Sequence, residues 1–220
     1  MRFSGQIIGV DESGKGDFFG PLIVAGLLAG DADLEFLDEI GVKDSKRVTD
    51  KRCLVIAERL RARFPHKVVV LKPEEYNRRY DKIRNLNILL AQCHAGVIAG
   101  LANQVSSRID FAVSDKFGKN ERLESALAAT ACSLPVKQLV RGEAVPQVAA
   151  ASILARSEFV RQMDKLSEEL QIKLPKGASA HVDEVGRQLV SHHGIDILTS
   201  LAKTHFKNYQ RATAGDLFPR

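Results

Sequence analysis

Ile7-Ile8-Gly9-Val10-Asp11-Glu12 is the stretch on which the reading of this chain turns: four apolar or small residues run straight into two adjacent carboxylates. A continuous aliphatic run of this kind suits a buried strand, so a strand is expected over 6–10, delivering Asp11 and Glu12 at its end. Two later runs repeat the arrangement. Phe111-Ala112-Val113-Ser114 leads into Asp115, and Leu139-Val140-Arg141-Gly142 leads into Glu143. Were the three strands neighbours, their acids would converge on one patch of a sheet. Each acid taken singly also suits a turn or a helix cap, as Asp115 does before Lys116-Phe117-Gly118. Periodicity by itself does not show that the three runs meet.

Working outward, aliphatic runs predict further strands over 22–28, 67–71, 110–114 and 136–140. Apolar residues at helical spacing predict helices over 50–64, 86–108, 121–131, 148–170, 181–192 and 195–204, the first stopped by Pro65. Strands first, then helix and strand in alternation, describe an α/β layered fold with a mixed sheet. No repeat or linker divides the chain. A single domain over 1–220 is expected, with about 175–220 forming a helical carboxy-terminal extension.

The chain has 220 residues, 45% of them hydrophobic and 27% charged, which excludes a disordered or collagen-like protein. Three scattered cysteines, Cys53, Cys93 and Cys132, fit neither a disulfide framework nor a zinc knuckle, and suit a reducing cytosol. The amino terminus enters the first strand without the layout of a signal peptide, so a cytoplasmic protein is expected. The most apolar stretch, 86–105, is interrupted by Asn87, Gln92, His94, Asn103 and Gln104, and reads as a buried helix, not a membrane span. A net charge of +5 and a pI near 9.2 favour a polyanionic partner.

Clustered carboxylates repel one another, and divalent cations are the usual remedy. Ligands that are all oxygen favour Mg²⁺ or Mn²⁺ over Zn²⁺, and a pair of such ions suits phosphodiester hydrolysis. Gly9 to Gly16 also imitates a phosphate-binding P-loop, but Gly16 stands where that loop needs Ser or Thr, and Asp11 and Glu12 would repel the phosphate. What Gly14, Lys15 and Gly16 do permit is close approach to a sugar-phosphate backbone.

Gly9 to Pro21, read as Gly-Val-Asp-Glu-Ser-Gly-Lys-Gly-Asp-Phe-Phe-Gly-Pro, resembles the opening signature of the type 2 ribonucleases H, and its Asp17-Phe18-Phe19-Gly20-Pro21 portion is closer to the ribonuclease HIII branch than to HII. Asp44-Ser45-Lys46, Asn85-Leu86-Asn87, Asp115, Gly142-Glu143, the run Val148 to Arg156, and Leu174-Pro175-Lys176-Gly177-Ala178 follow in the family's order. The resemblance implies a ribonuclease H-like fold, with a mixed five-stranded sheet flanked by helices. It also implies endonucleolytic hydrolysis of the RNA strand in RNA/DNA hybrids, leaving 5′-phosphate and 3′-hydroxyl ends. The family's four catalytic, metal-binding acids fall on Asp11, Glu12, Asp115 and Glu143, which would hold two Mg²⁺ or Mn²⁺ ions. Gly14, Lys15, Gly16, Ser45 and Lys46 would contact the substrate. Neither a membrane nor an obligate protein partner is implied.

Two departures from the family shape the expectation. The signature starts so early that the HIII branch's usual amino-terminal substrate-binding domain is expected to be absent. The segment Pro175 to His181 lacks the tyrosine by which HII enzymes help select a single ribonucleotide, so runs of ribonucleotides should be cut well and a lone one poorly. Rival readings are another carboxylate nuclease of the same fold and a non-catalytic basic module binding structured RNA. His192-His193 is expected to cap a helix end. Glu158 and Asp164 are expected on an exposed helix side, paired with Arg161 and Lys165. His181, His205, Phe206, Tyr209 and Arg211 could face nucleic acid or pack on the core.

Overall fold

The computed structural model describes residues 3–42 and 48–214. Five strands form one sheet: β1 (Ile7–Ser13), β2 (Leu22–Ala29), β3 (His66–Leu71), β4 (Phe111–Asp115) and β5 (Val136–Leu139), in the order β3-β2-β1-β4-β5. β1 runs antiparallel to β2 and parallel to β4, and β4 runs parallel to β5, so the sheet is mixed as the element order implied. All eight residues of β2 are buried, which is why that strand reads as an unbroken apolar run.

One boundary carries chemistry. β1 does not stop at Val10: Asp11, Glu12 and Ser13 continue the ladder opposite Ala25, Val24 and Ile23. Asp115 is likewise the last residue of β4. These acids are strand residues, so the alternation of the pleat aims them.

The helices are α1 (Leu34–Glu39), α2 (Asp50–Arg63), α3 (Pro73–Ile83), α4 (Leu86–Gln104), α5 (Asn120–Ala128), α6 (Pro146–Leu170), α7 (Ala180–His193), α8 (Ile197–Leu201) and α9 (Lys207–Thr213). Side-chain caps start α2 and α4. Thr49 Oγ1 accepts from the Arg52 N–H at 3.3 Å before α2, and Asn85 Oδ1 accepts from the N–H groups of Asn87 (3.0 Å) and Ile88 (3.3 Å) before α4. α4 ends at Gln104, short of the expected 108, and α8 is shorter than 195–204. α4 is long and apolar enough to cross a membrane, yet ten of its residues are buried within the protein. α1, α3 and α9 have no counterpart in the apolar pattern. α3 is built mostly from charged residues and buries only Pro73, Tyr76 and Asn77.

The chain divides into two compact units. The first comprises Met1–Ser13, Ile23–Val69 and Asn85–Ser157, and the second Gly14–Leu22, Val70–Arg84 and Glu158–Arg220. In the first, the start of α6 lies directly on the sheet. A Cβ at Gly9 would come within 2.1 Å of the Gln147 carbonyl carbon, so only glycine allows the approach. Ile7, Val113, Val145 and Val148 form the core at that contact. In the second unit, Phe18 and Phe19 are fully buried, with Phe206 6.3 Å from Phe18, so this part of the tail packs on its own core.

Candidate active site

The parallel register pairs Val10 with Ser114, which sets Asp11 and Asp115 at matching positions just beyond that pair on adjacent strands. Successive residues of a strand face opposite sides. Asp11 and Asp115 therefore share the face that carries α6, along with Gly9 and Val113. Glu12 and Ser114 share the other face, which carries α4.

On the α6 face, the Asp11 carboxyl accepts from the Glu12 backbone N–H at 2.8 Å and from the Ser152 side chain. Dense enclosure by protein pushes its pKa up from 3.8 to about 7; the charge of Glu12 adds to the rise, and that of Asp115 does so more weakly. The two hydrogen bonds oppose the shift without cancelling it. Asp115 Oδ1 accepts from the Gly142 N–H at 2.7 Å. That bond docks the single 3-10 turn Gly142–Ala144, which carries Glu143, against the end of β4. Arg141, in the left-handed region at φ 58°, turns the chain into it.

The structure thus brings Glu12 and Asp115 each into electrostatic range of Asp11 and sets Glu143 in the turn bonded to Asp115. They are neighbours, not a closed cage: among the described residues no three His, Cys, Asp or Glu side chains are gathered so as to hold a metal ion as they stand. The donor set nevertheless fits a hard divalent cation. It is all oxygen, and the energetic cost of ionising Asp11 is what a nearby cation would relieve.

On the α4 face lies a residue that sequence reading passed over. His94 is fully buried; its Nε2 is 3.1 Å from Glu12 Oε2 and its Nδ1 3.1 Å from Ser114 Oγ. Its ring packs on Phe117, centroids 4.6 Å apart. The available signal was a lone imidazole in the most apolar helix.

Gly14, Lys15 and Gly16 follow β1 directly in the chain and belong to the second unit. Gly14 is buried at φ 85°, where a Cβ would meet the Pro21 carbonyl oxygen at 2.2 Å, while Gly16 is exposed with open space around it. The segment after them is held tightly. The Gly177 N–H donates to Asp17 Oδ1 at 2.6 Å, and the Phe18 N–H donates to the Gly177 carbonyl at 2.9 Å. Lys203, fully buried, donates through Nζ to the carbonyl oxygens of Asp17 (2.9 Å) and Gly20 (2.7 Å). Ser45 and Lys46 lie outside the described residues.

Of the other residues singled out, His192 Nδ1 lies 2.7 Å from the Gln188 carbonyl at the end of α7, in keeping with a cap. His205 stacks on Tyr80, centroids 4.2 Å apart, and burial followed by the Lys203 charge pushes its pKa down to about 4. Arg211 donates to Asp183 at 2.6 Å. Glu158 is mostly covered, with the Gln162 amide donating to it at 2.8 Å and Arg161 in an ion pair with it at 3.9 Å, and Lys165 pairs with Glu169 and not Asp164. Adjacent helical residues diverge, whereas those four apart face each other.

A mixed five-stranded sheet in this order, with helices against it, is the ribonuclease H-like fold. A profile of the Ribonuclease HII family matches residues 8–209, and the chain belongs to that family. It is 46% identical over 204 residues to the Ribonuclease HIII of Chlamydia abortus, a match covering 92% of this chain and 68% of that protein. The crystal structure of Bst-RNase HIII in complex with Mn²⁺ superposes with a TM-score of 0.90 at 32% identity, covering 96% of this chain and 70% of that one. RNase HII in a PCNA complex from Archaeoglobus fulgidus matches with a TM-score of 0.73 at 31% identity, covering 86% and 88% of the two chains. The protein is a ribonuclease H enzyme, and its similarity to HIII proteins agrees with the motifs at 17–21.

Proposed function

We propose that the protein hydrolyses the RNA strand of RNA/DNA hybrids endonucleolytically, leaving 5′-phosphate and 3′-hydroxyl ends, with Asp11, Glu12, Asp115 and Glu143 holding two Mg²⁺ or Mn²⁺ ions. The observation that carries the reading is the parallel register of β1 and β4. It sets Asp11 level with Asp115 on one face, and Asp11 is ionised only at an energetic cost. The Mn²⁺ in the related Bst-RNase HIII crystal supports the choice of cation. Cations of this class commonly take one or two carboxylates from the protein and complete their shell with substrate phosphate oxygens. A site that is not a closed cage before substrate arrives is consistent with that habit. Bound there, such cations would lower the cost of ionising water and of charge on the departing 3′-oxygen.

The protein's own groups do the rest. Asp115, held by the Gly142 N–H, and Asp11, held by the Glu12 N–H and Ser152, present oxygens in fixed orientation. Exposed Gly16 and neighbouring Lys15 offer backbone and charge to the nucleic-acid strand, close enough for a 2′-hydroxyl to be sensed. Ser45 and Lys46 are assigned phosphate contacts on the resemblance alone. The positive net charge suits the hybrid as partner.

The test is cleavage of RNA/DNA, RNA/RNA and DNA/DNA duplexes with Mg²⁺ or Mn²⁺, by the wild type and by Asp11→Asn. Metal-dependent cutting of the hybrid alone, lost in the variant, is expected. Cutting of all three duplexes, or full activity in Asp11→Asn, would overturn the reading. Hybrids carrying a run of ribonucleotides or a single one test the finer expectation, that the run is cut much faster.

A further inference from the structure

We propose that His94 is a positioning residue of the acid site: its Nε2–H holds the Glu12 carboxylate in place on the α4 face, and Ser114 anchors the ring from its other nitrogen. The proposal rests on the reading that Glu12 is a metal-holding acid. Three observations lead to it.

The first is the setting. His94 lies in the middle of α4, the most apolar helix, with Leu90, Ala91, Val97 and Ile98 buried near it along the chain. A polar ring costs stability there unless both nitrogens are partnered. Both are, and both partners come from the strands that carry the acids: Glu12 from β1 and Ser114 from β4.

The second is hydrogen-bond bookkeeping. An ionised Glu12 oxygen can only accept, so the 3.1 Å contact requires the proton on Nε2. Nδ1 faces the Ser114 hydroxyl at 3.1 Å, which anchors the far side of the ring. That hydroxyl has one proton and two acceptors in reach, Nδ1 and the Asp115 carbonyl oxygen at 2.9 Å, and it ties the ring to the residue bearing the next acid whichever takes the proton.

The third is restraint. Phe117 packs on the imidazole, which fixes the plane of the ring and therefore the direction of Nε2–H. Glu12 is long and flexible, and its side chain is 11% exposed. A donor at one oxygen removes rotamer freedom before a cation arrives. Outer partners of this kind typically matter about 10–100-fold in metal affinity.

The experiment is calorimetric titration of the free protein with Mn²⁺ alone, on the wild type, His94→Leu, His94→Gln and Asp11→Asn, with hybrid cleavage measured alongside. His94→Leu is expected to weaken Mn²⁺ binding by about 10–100-fold. It should raise the Mn²⁺ needed for half-maximal cleavage by a similar factor and leave the KM for hybrid unchanged. His94→Gln, whose amide donates from a similar place, should restore most of both. Imidazole ¹⁵N shifts of the metal-free protein should show Nε2 protonated.

Wild-type Mn²⁺ affinity in His94→Leu, a folded His94→Gln as impaired as His94→Leu, or an unprotonated Nε2 would each overturn the proposal. Should His94→Leu lose its cooperative melt, Ser114→Ala takes its place: weakened Mn²⁺ binding supports the anchoring of the ring, and unchanged binding overturns it. Full hybrid cleavage by Asp11→Asn would instead sink the functional reading, a separate outcome.

Discussion

Asp11 in the first unit and Lys203 in the second are both enclosed charges, and burial drives each from its ordinary pKa to about 7, Asp11 from below and Lys203 from above. Their surroundings differ. Lys203 reaches two backbone carbonyls and the face of Tyr76, 5.7 Å away, and the charge of Asp17 favours its protonated form. Asp11 has two donors, but Glu12 and Asp115 add negative charge beside it. A perturbed ionisable group is therefore not in itself a sign of catalysis. Lys203 is perturbed and satisfied, a structural clamp on the segment following Gly16. Asp11 is perturbed and opposed by like charges, which is the condition a bound cation relieves.

The largest way to test that contrast is Asp11→Asn. Hybrid cleavage should fall by about a hundredfold or more, as expected when a ligand to a Lewis-acidic cation is lost. In EDTA the same variant should melt higher than the wild type. The folded-state pKa of Asp11 is raised, so the unfolded chain ionises first and the wild type loses stability as pH rises from about 4 to 7. The variant's advantage should grow across that window toward about 4 kcal/mol, and a denaturant titration at several pH values measures it.

Lys203→Met should act oppositely. It leaves the Asp17 and Gly20 carbonyls without this donor, at a cost of about 2–4 kcal/mol. The unfolded chain keeps the lysine proton up to 10.5 while the folded chain releases it near 7, so wild-type stability rises with pH in between. The deficit of Lys203→Met should widen over pH 7–10 in the same denaturant assay. Activity should show a raised KM for hybrid with kcat little changed. An equal fall in kcat would mean that the clamp also serves the chemistry.

Gly9→Ala probes the packing beneath Asp11. The added methyl would press on the Gln147 carbonyl and force α6 from β1, at about 3 kcal/mol by thermal melting. Lys15→Ala should have the smallest effect. Hybrid affinity should drop severalfold, and the dependence of log affinity on log salt should flatten by about one counterion.

The elements that were legible in the sequence are those whose apolar pattern matches their burial. β2 is buried throughout and reads as an uninterrupted run, and α2 and α4 carry their own caps at Thr49 and Asn85. α3 was illegible because its buried side is anchored by Asn77, whose amide donates to the carbonyls of Ala202 (2.9 Å) and Thr199 (3.2 Å). Polar burial of that kind has no periodic trace. For the candidate site, the acids stood out by their positions after apolar runs, but their facing did not, because β1 was expected to stop at Val10. His94 counted only as an interruption of an apolar stretch.

The sequence by itself determined the family, through ordered motifs, and the strands and most of the longer helices, through local periodicity and chain-adjacent caps. Tertiary structure alone decided that Asp11 and Asp115 share a face and that a histidine 82 residues beyond Glu12 is its partner. It alone decided that Lys203, outwardly one more surface lysine, is buried against carbonyls 183 and 186 residues earlier in the chain. The physical reason is the range of the forces. Helix and strand preferences act over a few residues and are written locally, whereas the cost of a buried charge depends on groups that only folding brings beside it.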